Sequence, residues 1–217
     1  SVTTVVDAKH VMGQLDDSRE AREQIAFADQ IVLNKTDLVE PAVLDAIEAR
    51  IARLNPLAPI HSTTRSQVPL DAILNRGGFD LDRILELAPE FLNPPHGEEG
   101  HVHDEHCGHD HGHGHGHQLD DIASVSLSHD GPVNGDKITR WLNELLAAKG
   151  PDILRAKGIL EVKGEDRRLV FQAVHMILEG DLQREWKPGE ARSSRMVFIG
   201  RDLDAAALRA GFVACYA

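Results

Sequence analysis

Two stretches of this sequence carry side chains whose types and spacing could do chemistry. The first is Asn34-Lys35-Thr36-Asp37, which directly follows the apolar run Ile31-Val32-Leu33. At the carboxyl end of a buried parallel strand the chain turns outward over a ligand crevice. An asparagine there can bond the N7 edge of a purine and the neighbouring loops, and a lysine stem can lie flat along the ring. An aspartate two residues on can accept bonds from guanine N1–H and the exocyclic amine. Adenine presents the opposite donor pattern at that edge, so the carboxylate selects guanine. Asn34, Lys35, Thr36 and Asp37 are therefore the candidate base-binding residues.

The second stretch comprises His101, His103, His106, Cys107, His109, His111, His113, His115 and His117, eight imidazoles and one thiol within 17 residues. Neutral imidazole suits zinc, nickel, cobalt and copper, and the interleaved glycines let non-adjacent histidines converge on one ion. Paired cysteines at zinc-finger spacing are absent from the tract, so a single rigid structural site is not expected. The expected form is a reservoir of several weak, exchangeable sites whose binding competes with protons below about pH 6.5. An expression tag and a solvated linker without a role are the competing readings.

The charge follows the histidines. Lys plus Arg number 23 against 35 Asp plus Glu, a net of −12. From Ile84 to Asp136 there is no Lys or Arg but there are 11 acidic residues, which leaves 24 negative against 23 positive charges elsewhere. The same stretch holds 10 of the 13 histidines. A nearly neutral body without a basic run argues against a nucleic-acid partner. The sequence has no apolar run of the roughly 18 residues a membrane span needs, and no signal-peptide layout at its start. With only Cys107 and Cys215, a reducing cytoplasm is the expected location.

These side chains must be positioned by ordinary elements, and the pattern supplies them. Residues 1–88 alternate strands and helices: a strand over Val2–Asp7, a helix over Asp16–Asp29, a strand over Gln30–Asn34, a helix over Pro41–Leu54 and a short strand over Pro59–Thr64. Short helices are expected at Pro69–Leu74 and Leu81–Leu87. Connections of this length imply a parallel sheet. Residues 89–121 read as a His- and acid-rich flexible linker, too poor in apolar side chains to offset the entropy of ordering. Residues 122–217 read as a small α+β domain with an antiparallel sheet. It has a strand over Ile122–Ser128, a helix over Asn134–Lys149 and one or two helical turns over Asp152–Lys157. A hairpin around Gly164-Glu165-Asp166, a strand over Ile177–Trp186, a strand over Met196–Gly200 and a closing helix over Asp202–Ala214 follow.

A guanine site needs a phosphate site, and no G-x-x-x-x-G-K-[ST] occurs in this sequence. The opening Ser1, running straight into Val2–Val6, reads as a cut inside a larger protein. The chain resembles the carboxyl-terminal two thirds of a CobW-like metal-chaperone GTPase. The residues responsible are Thr4–Ala8, Ala28–Asp37, Ile153–Gly158, Phe171–His175, Trp186 and Arg195–Arg201, with a His-rich insert between the two blocks as that family often has. The resemblance implies a partial P-loop GTPase-type α/β sheet joined to a CobW C-terminal-like α+β domain. It implies GTP/GDP with Mg2+ as cofactor, and delivery of zinc, cobalt or another divalent metal to a metalloprotein or cobalamin-pathway client. The family's phosphate loop and Cys-x-Cys-Cys motif match no residues here, so no catalytic residue is assigned and the chain alone is expected not to hydrolyse GTP. A nucleotide-independent metal-storage module is the alternative, as is a conventional GTPase with an incidental tract.

Other residues have plainer expectations. Asp7 either faces the nucleotide or caps a helix, and Ser62-Thr63-Thr64 sit where a loop could touch the base. His175 and Cys215 read as core residues, and Trp141 and Trp186 as core anchors. Arg155, Lys157, Arg195 and Arg201 read as a partner-facing patch or as solvated strand ends.

Overall fold

The computed structural model describes residues 1–74, 121–174 and 176–217. The helix expected at 81–87, almost all of the 89–121 linker with its histidine tract, and His175 lie outside the described residues. The chain divides into two compact units, with the boundary at the start of the fourth strand.

The first unit is a parallel sheet of β1 (Thr3–Asp7), β2 (Gln30–Asn34) and β3 (Ile60–Ser62), in the order β1-β2-β3. Asp7 pairs with Asn34 in register, so two polar residues end β1 and β2 side by side. Gln30 through Leu33 are buried, as a central strand covered on both faces requires. The helix expected over Asp16–Asp29 is α2 (Arg19–Phe27), and a separate helix not expected from the sequence, α1 (Val11–Asp17), precedes it. Ser18 divides them: its backbone is extended, its N–H donates to Gln14 O, and its hydroxyl accepts from the Ala21 N–H as the cap of α2. Helix α3 (Pro41–Leu54) starts on Pro41 and buries Ile47, Ile51 and Leu54, while Val43 stays exposed. Asn55 stops it and is itself buried, donating Nδ2 to Ile25 O and Ala28 O at the end of α2. A one-turn helix, α4 (Leu70–Ile73), follows β3.

The second unit runs β4 (Ile122–His129), α5 (Gly135–Lys149), β5 (Ile153–Leu160), β6 (Arg167–Val174), β7 (Ile177–Glu185), β8 (Ser194–Arg201) and α6 (Ala205–Val213). Its five strands lie in the order β4-β8-β5-β6-β7, with β5 antiparallel to both β6 and β8, and β6 antiparallel to β7. Inserting β8 between β4 and β5 makes β4-α5-β5 a split crossover. The helical turns expected at Asp152–Lys157 are strand β5. The local helix-forming composition is overridden because β5 pairs along its length on both edges and buries all eight residues. The β5–β6 turn is closed by Glu165 N–H donating to Val162 O, and Gly164 takes the positive φ (+83°) that such a turn demands. Side-chain caps fix both helices: Asn134 accepts from Lys137 N–H, and Asp204 from Ala207 N–H.

The core of this unit joins Val125 and Leu127 of β4, Ile138, Leu142 and Leu146 of α5, Phe171, Phe198, and Leu208 and Phe212 of α6. Trp141 packs on it against Phe198 and Phe212, and Trp186 is buried with the Arg168 guanidinium 5.9 Å from its ring centre. Cys215 is buried too. The basic residues are the exception to the sequence-based reading. Arg155, Lys157 and Arg195 are 2%, 3% and 6% exposed, so they are neither solvated strand ends nor an open patch. On β5 and β8 their alternation with the core residues puts them on the opposite face of the sheet. Arg201 reaches back to donate to Pro151 O.

Candidate functional site

The Asn34-Lys35-Thr36-Asp37 segment sits where a buried parallel strand ends. Three elements converge there: the end of β1, the end of β2 and the loop after β3. Hydrogen bonding knits them together. The Ala8 N–H donates to Asn34 O across the β1–β2 edge at 2.9 Å. On the other side, Thr63 N–H donates to Leu33 O, and Thr36 donates both its N–H and its hydroxyl to Thr63 O. The Asn34 carboxamide spans the same gap, its Oδ1 accepting the Ser66 N–H at 2.8 Å. Arg65 and Ser66 both adopt left-handed backbone (φ 52° and 55°), the sharp turn that brings the Ser66 amide to Asn34. Thr63 Oγ1 closes the loop on itself by donating to Gln67 O.

Lys35 is also left-handed (φ 62°, ψ 34°), a conformation that costs a non-glycine residue roughly 1 kcal/mol. Such strain clusters where geometry matters. It turns the chain into a short 3-10 turn, Thr36–Leu38, and sends the Lys35 ammonium to Asp7 Oδ2 at 2.6 Å. The Asp7 carboxylate also accepts from the Lys9 N–H at 2.9 Å through Oδ1, and lies 3.1 Å from His10 Nδ1 through Oδ2. The Lys35 ammonium beside it is the main reason that the Asp7 carboxyl pKa is lowered to about 2, with His10 and the Lys9 amide adding to it. Asp37 is exposed on the 3-10 turn, and its carboxylate has no hydrogen-bond or ion-pair partner among the described residues.

Each side chain thus has a distinct part. Asn34 fixes the loop, Lys35 reaches from the end of β2 to the end of β1, Thr36 anchors the segment to the β3 loop, and Asp37 presents acceptor oxygens that no other described residue occupies. Asp7 does not cap helix α1, whose N-cap is His10; its carboxylate accepts the Lys9 N–H and grips Lys35. Sequence reasoning missed the Asp7–Lys35 pair and the Asn34–Ser66 bond. Of the candidate metal ligands, the whole 101–117 tract lies outside the described residues. Among the described residues no group of three or more His, Cys, Asp or Glu side chains is placed to hold a metal ion. Among them, too, no helix is long and apolar enough to cross a membrane.

Comparison with known proteins adds two family models and several relatives. Residues 1–62 match the model of the CobW/HypB/UreG nucleotide-binding domain, and residues 122–216 that of the cobalamin synthesis protein cobW C-terminal domain. The zinc chaperone YjiA of Escherichia coli (strain K12) is 31% identical over 212 residues, covering 97% of this chain and 59% of the relative. The zinc chaperone CobW of Pseudomonas aeruginosa is 34% identical over 188 residues, covering 86% of this chain and 44% of the relative. A crystal structure of Zn(II)-bound YjiA GTPase from E. coli superposes with a TM-score of 0.74 at 30% identity, over 99% of this chain and 60% of that one. The chain therefore spans 44% to 60% of the length of these relatives.

Proposed function

Given that the chain belongs to the CobW-like family, we propose that it serves a metallochaperone in which guanine nucleotide governs the handling of a divalent metal. The observation that carries the nucleotide half is the exposed carboxylate of Asp37, which has no partner among the described residues. It stands on a loop that Asn34 and Thr36 lock to the loop after β3. A carboxylate with no partner among the described residues, held by neighbours that do have one, is set up for an external pair of donors, and guanine N1–H and N2–H supply that pair. Asn34, Lys35, Thr36 and Asp37 are the base-binding residues in this reading.

Residues for the phosphates are a separate matter. No phosphate-loop motif occurs in the sequence, so no residue here fits Mg2+ or a role in hydrolysis, and the chain by itself is expected to show no GTP turnover.

The metal half rests on composition. His101, His103, His106, Cys107, His109, His111, His113, His115 and His117 supply borderline-soft donors, and the surrounding carboxylates raise the local cation concentration. Zinc is the leading cargo, in keeping with the names of the relatives; cobalt and nickel suit the same donors. In this reading the 89–121 segment, which lies in sequence between the nucleotide unit and the 122–217 domain, is the part that carries the metal. The client is a metalloprotein or a cobalamin-pathway protein, and a reducing cytoplasm is the expected setting. Calorimetric titration with Zn2+ tests this half. Several equivalents should bind to the chain and disappear when the eight tract histidines are replaced by serine. Undiminished binding by that variant would contradict the assignment. Metal binding without any response to guanosine would instead favour a nucleotide-independent storage module.

A further inference from the structure

Asp7 is not part of the Asn34–Asp37 segment, yet its carboxylate organises one side of it. Its position opposite Asn34 in the β1–β2 register puts its side chain beside the residue after Asn34. Oδ2 takes the Lys35 ammonium at 2.6 Å and Oδ1 takes the Lys9 N–H at 2.9 Å, so the carboxylate is itself held from behind while it holds Lys35. The Lys35 side chain is half exposed and the Asp7 side chain a quarter exposed, which places the pair at the surface, where β1 and β2 end, rather than in the core. An unrestrained lysine there would sample many rotamers, and ordering it on ligand binding would cost entropy. Clamping its head at one end fixes the direction of the four methylenes before a ligand arrives.

We propose that Asp7 is a positioning residue of the base site: by holding the Lys35 ammonium against the end of β1, it lays the Lys35 stem across the crevice as a platform for a purine ring. This rests on the base-recognition reading given above. Asp7 touches no part of the base; it acts through Lys35. Its pairing also neutralises the ammonium, so the ring meets methylene rather than charge. Asp7 thereby sets the affinity for the base, whereas the choice between guanine and adenine stays with Asp37.

The test uses guanosine as the probe and follows the amide resonances of Asn34–Asp37 in the whole chain by NMR. Asp7→Asn keeps an oxygen for the Lys9 N–H and so spares the β1–α1 turn, but removes the charge that grips Lys35. It should weaken guanosine binding by about twofold to fivefold, the upper range of a surface ion pair, and leave the preference over adenosine intact. Lys35→Met should weaken binding as well, and the double variant should lose no more than Lys35→Met alone. Asp7→Glu should recover part of the loss. Additive losses in the double variant, or an Asp7→Asn variant that binds as the parent does, would overturn the inference while leaving base recognition standing. A parent chain whose loop does not respond to guanosine at all would overturn base recognition itself, and the role of Asp7 with it.

Discussion

Replacing Asn55 should loosen the site from a distance. Asn55 is 1% exposed and lies in none of the loops that form the site. Its Nδ2 donates to Ile25 O at 2.8 Å and to Ala28 O at 2.9 Å, with a longer approach to Ala26 O at 3.3 Å, and its Oδ1 accepts the Leu57 N–H at 3.1 Å. One carboxamide thus ties the end of α2, just before β2, to the chain that leads into β3. In Asn55→Ala the Leu57 amide and the α2 carbonyls lose that partner inside the unit. Each such loss costs about 1–3 kcal/mol and partial relaxation offsets some of it, so the total is about 3 kcal/mol. At 1.4 kcal/mol per factor of ten, opening of the β2–β3 region becomes roughly 100-fold more frequent. Hydrogen exchange reads this directly at the Ile31 amide, bonded to Pro59 O, and at the Thr63 amide, bonded to Leu33 O beside the base loop. Asn55→Asp supplies the control. It is nearly isosteric but acceptor-only, and sets a carboxylate against carbonyl oxygens, so at neutral pH it should exchange faster than the alanine variant. Exchange at Ile31 and Thr63 that rises less than fivefold in Asn55→Ala, or an aspartate tolerated as well as asparagine, would refute this account of how β2 and β3 are held.

Three further outcomes are expected. A Cβ added at Gly211 would stand 2.1 Å from Trp141 Nε1, so Gly211→Ala should destabilise the second unit by about 1–3 kcal/mol despite its better helix propensity, seen as a lower urea midpoint by tryptophan fluorescence. The Asp7 carboxyl pKa falls from 3.8 to about 2 on folding, so its contribution is complete above 3.8 and vanishes as pH drops through about 2. For so exposed a pair that contribution is about 0.2–1 kcal/mol, and Lys35→Met should remove most of this acid-range slope in denaturation curves. Cys215 is 2% exposed, donates its thiol to Gly211 O and has its pKa raised by burial; iodoacetamide at neutral pH should label it only at the rate at which the second unit opens.

What the sequence made legible follows from the range of the forces involved. Strand β2 and helix α3 could be read to the residue, because an all-apolar run and a proline-started, asparagine-stopped amphipathic run are local signals. The placement of Asn34–Asp37 at the end of a parallel strand followed from the same run. Helix α1 was not read because its seven residues make only about two turns, too few for a helical period to show. Strand β5 was misread because Leu154-Arg155-Ala156-Lys157 has helical propensity, and only pairing with two distant strands reverses it. The buried positions of Arg155, Lys157 and Arg195 were invisible for the opposite reason: composition places cations in water. In the site, the bonds from Ser66 to Asn34 and from Lys35 to Asp7 span 32 and 28 residues, distances over which no periodicity carries information.

The central claim is that the Asn34–Asp37 loop reads guanine, and it is tested most directly by titrating the chain with guanosine and, separately, adenosine while following the amides of Asn34–Asp37 and Ser66. Guanosine should shift these resonances with saturation. Adenosine should bind at least tenfold more weakly, and Asp37→Ala should erase the difference, since the carboxylate is the group that distinguishes the two bases. Equal responses to both nucleosides, or a preference for guanosine that survives Asp37→Ala, would contradict the account.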